Sequence, residues 1–143
     1  MRIFLDANIL VSVLNKEYPF FTYTSRIISL NDTTKFTLFT SPVCLAIAFY
    51  FAEKKYKSAS AKKRIQILCD HINIAAANRS AVLQSLQNPA VNDFEDGLEY
   101  YSAIEAKCEC IITEDIEDFY FSKIEVLSSE RFVEKYLLSE SKK

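Results

Sequence analysis

Five short apolar runs recur along the chain: Arg2–Leu5, Phe36–Phe39, Ile72–Ala75, Cys110–Ile112 and Glu125–Leu127. The stronger ones do not alternate apolar with polar residues, so strands built from them need cover on both faces. Stretches with helical spacing fill the gaps and supply that cover. Parallel neighbours also need a crossover connection, for which a helix is the usual solution. The expected fold class is therefore α/β, with a mostly parallel sheet of about five strands. The expected helices are Phe20–Leu30, a segment from Ser41-Pro42 to about Lys57, Ser60–His71, Asn78–Gln87, Asp93–Lys107 and Ser129–Leu138. Ser41 is placed to cap its helix and Pro42 to occupy the first helical position.

At 143 residues with one Gly and three Pro, the chain shows no repeat, linker or low-complexity stretch, so residues 1–143 read as one domain. Its hydrophobic fraction of 50% and charged fraction of 25% are those of a globular protein. No apolar run approaches the roughly 18 residues of a membrane span, so no membrane partner is expected. One Arg and a short apolar stretch followed by Asp6 make a poor signal peptide, which leaves the cytoplasm as the expected location. The four cysteines, Cys44, Cys69, Cys108 and Cys110, lack CxxC or Cys/His ligand spacing and read as reduced core residues. The single histidine, His71, cannot build a zinc site alone.

The acids carry more information. In the opening MRIFLDANILVSVL, Asp6 and Asn8 interrupt an otherwise apolar segment directly after a strand. A carboxylate there loses hydration and needs a partner. In open α/β sheets, sites form beyond the carboxyl ends of the strands, which is where Asp6 lies. Asp93 and Asp96 stand at the start of a helix, three residues apart and so on one face. Asp115 follows the strand Cys110–Ile112 as Asp6 follows its own, and Asp118 comes three residues later. Taken singly these residues have ordinary uses: Asp93 caps a helix, Asp96 favours the helix dipole, and Asp115 and Asp118 suit turns. Their convergence on one end of the sheet asks for a cation, since crowded carboxylates raise one another's pKa without one. A hard divalent ion such as Mg²⁺ or Mn²⁺ suits oxygen ligands, bridges to a phosphodiester and activates water.

LDANIL, NDFEDGLEYYSAIEAKCECIITEDIEDF and FVEKYL together resemble the PIN-domain proteins over nearly the whole chain. The likeness is greatest to the bacterial branch containing the toxin ribonucleases of VapBC-type toxin–antitoxin pairs. The resemblance implies a three-layer α/β/α sandwich around a parallel sheet. It also implies an Mg²⁺- or Mn²⁺-dependent endoribonuclease with an antitoxin partner. By position it assigns catalysis and metal binding to Asp6, Asp96 and Asp115, with Asp118 and Asp93 as neighbouring members of the metal set. One position departs from the family pattern. The acid usual in the helix after the second strand falls about where this chain has Ile47, and Glu53 comes almost two turns too late.

The formal net charge of −2 gives no overall basic field for nucleic acid, so RNA needs a local one. EKKYKSASAKKR concentrates Lys54, Lys55, Lys57, Lys62, Lys63 and Arg64 around Tyr56. It reads either as an RNA-backbone track or as a solvated helix corner. Tyr18, Phe20 and Phe21 suit a groove or a homodimer face. Two functions remain in view: a metal-dependent ribonuclease, and a PIN-like RNA-binding or protein-interaction module that has lost catalysis, which Ile47 favours. A receiver-like phosphoacceptor is excluded, because the acidic pair after the first strand and the Lys after the last strand are both missing.

Overall fold

The computed structural model describes residues 1–138. Its five strands, β1 (Arg2–Leu5), β2 (Thr37–Thr40), β3 (Asn73–Ile74), β4 (Cys110–Ile112) and β5 (Glu125–Leu127), form one sheet in the order β3-β2-β1-β4-β5. Every pairing is parallel. The helices are α1 (Ala7–Leu14), α2 (Phe21–Ile28), α3 (Pro42–Lys55), α4 (Ser58–Cys69), α5 (Arg79–Gln87), α6 (Phe94–Glu105) and α7 (Ser129–Phe132). They complete the three-layer α/β/α arrangement. Ile3, Phe4 and Leu5 of β1 and Cys110, Ile111 and Ile112 of β4 are wholly buried. Consecutive burial of this kind means that both faces of the sheet are covered.

Local chemistry sets most of the boundaries. Ser41 accepts from the Cys44 N–H at 3.2 Å and Pro42 opens α3, as the sequence requires. Asn78 caps α5 and Asp93 caps α6 through side-chain oxygens. β2 lies one residue later than expected, because the sheet register pairs Arg2 with Thr37. β3 shrinks to two residues at the sheet edge, where only one neighbour supports it. The segment expected as one helix over Phe20–Leu30 divides into α2 and a 3-10 turn, Ser29–Asp32. The segment expected as Ser129–Leu138 divides likewise into α7 and a wider π-type turn, Val133–Leu138.

Helix α1 has no polar stripe to announce it, because most of its residues are buried, including Ile9, Leu10, Val11 and Leu14. Close packing of α5 on α6 depends on Gly97. A Cβ there would come within 2.8 Å of Val91 Cγ1 and 2.9 Å of Ser85 Cβ. The cysteines are free thiols, with Cys44, Cys108 and Cys110 buried and Cys69 partly so. Burial pushes Cys108 and Cys110 up to about 12, so neither is a reactive thiolate near neutral pH. Among the described residues no helix is long and apolar enough to cross a membrane.

The chain runs from β1 outward to β2 and β3, then returns to lay β4 and β5 on the other side. The strand order therefore reverses between β1 and β4, and a crevice opens at their carboxyl ends.

Candidate functional site

Asp6 continues β1 for one more hydrogen bond, its N–H donating to the Ile112 carbonyl at 3.0 Å. It then caps α1, with Oδ1 accepting from the Ala7 N–H at 2.6 Å. Its Oδ2 accepts from the Thr113 hydroxyl at 2.7 Å and from Asn8 Nδ2 at 3.4 Å. The carboxylate is only 7% exposed, held by donors from the ends of two adjacent strands. Asn8 extends this clamp. Its Nδ2 also donates to Thr113 Oγ1 and Asp115 Oδ2, both at 3.2 Å, while its Oδ1 accepts from the Glu114 N–H at 3.2 Å. The Asp115 N–H in turn donates to Thr113 Oγ1 at 3.0 Å. A polar residue among the apolar positions of α1 is thus explained by the β4 loop that it holds.

A cavity of about 380 Å³ lies over this junction. Asp6, Asp96, Asp115 and Asp118 all line it, so four of the acids read from the sequence are brought to one place. Glu95 and Glu99 join them, while Ile47, Phe51 and Val11 supply apolar wall. Asp93 is not on the lining. Its Oδ1 accepts from the Asp96 N–H at 3.2 Å, so it caps α6 and touches the site only through its charge. Glu114, between Thr113 and Asp115, turns away to accept from the N–H and the hydroxyl of Ser129 at 3.0 and 2.8 Å. It anchors α7.

The acids act on one another. Desolvation, then Asp93, Asp118, Asp6 and Glu95, raise Asp96 to about 7. Desolvation and contact with Asp6 push Glu99 up to about 11. Glu95 and Asp118 are raised for the same kinds of reason. Every carboxyl neighbour perturbing these four groups pushes in the same direction, and no lysine or arginine among the described residues offsets them. Such a set gains most from a cation bound to its oxygens. Among the described residues, three groups with ligand atoms mutually within 4.8 Å are Asp6, Cys44 and Glu99. Asp96 and Asp115, assigned with Asp6 to one metal set, stand around the same cavity without forming such a set. The hard carboxylate donors fit a small divalent ion.

Sequence reading missed Glu99, Glu95 and Thr113. Glu99 carried a signal, since it lies three residues after Asp96 on one helical face.

The basic segment divides between two helices. Lys54 and Lys55 end α3, one turn beyond the cavity-lining Phe51. Lys55 Nζ donates to the Asn15 carbonyl at 2.5 Å, and Lys54 Nζ lies 4.2 Å from the Tyr50 ring centroid. Lys57 joins the helices in a left-handed conformation, φ 70°. Lys62 and Lys63 are exposed on α4. The Arg64 guanidinium packs 3.6 Å from the Tyr56 ring centroid, covering a face that a base would need. Arg64 also borders a second cavity of about 240 Å³, with Lys16, Ile28, Ile67 and His71.

Comparison with known proteins agrees with this architecture. A 138-residue alignment with ribonuclease VapC1 of Aquifex aeolicus (strain VF5) shows 27% identity, covering 94% of this chain and 95% of the relative. VapBC2 of Rickettsia felis, solved bound to a promoter DNA fragment, superposes with a TM-score of 0.67 at 20% identity, over 90% of this chain and 98% of that one. VapBC-1 of nontypeable Haemophilus influenzae gives 0.67 at 17% identity, over 91% and 99%. The family described as the PIN domain matches residues 2–117, spanning the sheet from β1 to the loop after β4 that carries Asp115. With that match and the acidic crevice where its sheet reverses, the chain belongs to the PIN domain family.

Proposed function

We propose that the protein is a divalent-metal-dependent endoribonuclease that cleaves RNA phosphodiester bonds, the toxin of a toxin–antitoxin pair. The observation that carries this reading is the crevice of mutually destabilising carboxylates, with no basic residue among the described residues lining it. In this reading Asp6, Asp96 and Asp115 would hold the ion, with Asp118 beside them on the cavity lining. When bound, Mg²⁺ or Mn²⁺ supplies Lewis acidity and a water made nucleophilic near neutral pH. The protein's own residues supply the rest. Thr113 and Asn8 fix the Asp6 and Asp115 carboxylates, so little reorganisation is needed when charge develops on the phosphate. Ile47 and Phe51 keep one side of the crevice apolar.

Lys54, Lys55, Lys57, Lys62, Lys63 and Arg64 guide the RNA backbone toward the crevice, with the α3 lysines nearest to it. The antitoxin partner, and an arrangement as a homodimer, belong to the same proposal. Likeness to the VapBC structures supports the first.

The test is cleavage of a defined RNA with Mn²⁺ or Mg²⁺ against a chelated control, with Asp6→Asn alongside. Metal-dependent cleavage that Asp6→Asn abolishes supports the reading. Ile47 favours a second one, in which the domain binds RNA or protein without cutting. Metal and RNA binding with no cleavage would select that reading.

A further inference from the structure

We infer that Glu99 is an additional metal-ligating carboxylate of this chain, reaching the ion from α6 because helix α3 presents Ile47 to the crevice instead of an acid. The inference rests on reading the crevice as a metal centre. Glu99 is 2% exposed, yet its Oε2 has no hydrogen-bond partner. A buried carboxyl oxygen left without a partner is a costly arrangement. Glu99 and Ile47 both line the acidic cavity, and a carboxylate oxygen of Glu99 lies within 4.8 Å of one on Asp6.

The helix gives the same answer. Asp96 and Glu99 are three residues apart on α6, so both carboxylates reach the crevice from one face. The Glu99 carboxyl meets the Asp6 carboxyl and the Cys44 thiol in the interior, yet neither satisfies Oε2. An ion meeting Asp6 and Glu99 together satisfies both. The Cys44 thiol lies within the same 4.8 Å of both.

The experiment is Mn²⁺ titration by calorimetry on the full chain at pH 8, with no RNA present. Loss of a ligand in Glu99→Gln weakens Mn²⁺ binding about tenfold or more, within the range that loss of a metal-site partner produces. The double variant Ile47→Glu/Glu99→Gln returns the carboxylate to the α3 side and recovers most of that loss. In the unmutated chain, the Glu99 carboxyl ¹³C resonance shifts on adding Mg²⁺. This readout needs no variant to fold. Equal Mn²⁺ affinity in parent and Glu99→Gln, or a Glu99 resonance unmoved at saturating Mg²⁺, overturns the inference. If the parent itself binds no Mn²⁺ while Glu99 stays unmoved, the reading of the crevice as a metal centre falls with it. If the parent binds and only Glu99 is silent, that reading stands without this ligand.

Discussion

Replacing Asp96 by Asn should make the metal-free protein more stable at pH 8 while weakening its hold on metal. In the folded chain the Asp96 carboxyl is raised from its ordinary 3.8 to about 7, mainly by desolvation and then by the neighbouring acids. At about 1.36 kcal/mol per pH unit, that difference corresponds to roughly 4 kcal/mol. Asp96 is partly exposed, and solvent screening reduces the figure to about 2 kcal/mol. The sign follows from proton binding. Between pH 4 and 7 the folded state holds more protons at Asp96 than the unfolded state. Its stabilising protonation is therefore complete below about 3.8 and is lost as pH rises through about 7.

Asn cannot ionise, so the variant escapes the loss. Against this, an ionised acid in the first turn of α6 favours the helix dipole by up to about 1 kcal/mol. The net gain at pH 8 is about 1 kcal/mol, a rise in Tm of about 2–4 °C for a chain of this size. At about pH 3.5, below the ordinary carboxylate value of 3.8, the two proteins should melt nearly together. The assay is thermal unfolding by circular dichroism in chelator at both pH values, followed by Mn²⁺ titration at pH 8. A variant that melts below the parent at pH 8 would refute the argument, because the dipole would then outweigh the crowding.

Gly97→Ala should destabilise the fold by about 1–2 kcal/mol in chemical denaturation, since the contacts at 2.8 and 2.9 Å force α5 from α6 and outweigh the gain in helix propensity. Asp93→Asn keeps the α6 cap while removing a charge beside Asp96, so it should melt at or above the parent in metal-free buffer; Asp93→Ala should fall about 1 kcal/mol below Asp93→Asn. Lys62, Lys63 and Arg64 changed together to Ala should flatten the slope of log RNA affinity against log salt by about two, measured with Ca²⁺ in place of the catalytic ion, with Mn²⁺ affinity unmoved. An unchanged slope would reduce those residues to a solvated helix face and leave Lys54 and Lys55 as the guiding charges.

What the sequence made legible follows from how short-range the causes are. Strands β1, β4 and β5 were readable to the residue, because unbroken apolar runs between helices admit few other structures. Caps at Ser41 and Asp93 are local chemistry and were equally plain. β2 and β3 drifted, since their limits come from register with a neighbour rather than from their own side chains. Helix α1 was hidden for a different reason: burial on nearly all sides removes the periodicity that betrays an amphipathic helix.

The site divides along the same line. Asp6, Asp96 and Asp115 stand at the ends of readable elements, with Asp118 three residues after the last of them, so topology carries them to the β1–β4 crevice. Glu99 does not, because it lies inside α6, where an acid three residues from Asp96 is as compatible with solvent as with the core. Only packing decides, and α6 has turned that carboxyl inward against Asp6. Nor does sequence alone tell that Asn8, rather than another acid, ties Asp115 to the end of β1. The departure at Ile47 takes on its meaning at this point. An apolar α3 wall and a buried acid on α6 face one cavity, so the negative charge of the crevice is shifted between helices. A carboxylate entering from α6 shares its helix with Asp96, which couples the two proposed ligands to one rigid element. The position of α6, held against α5 by the contact at Gly97, therefore bears on the proposed metal site as directly as the strand ends do.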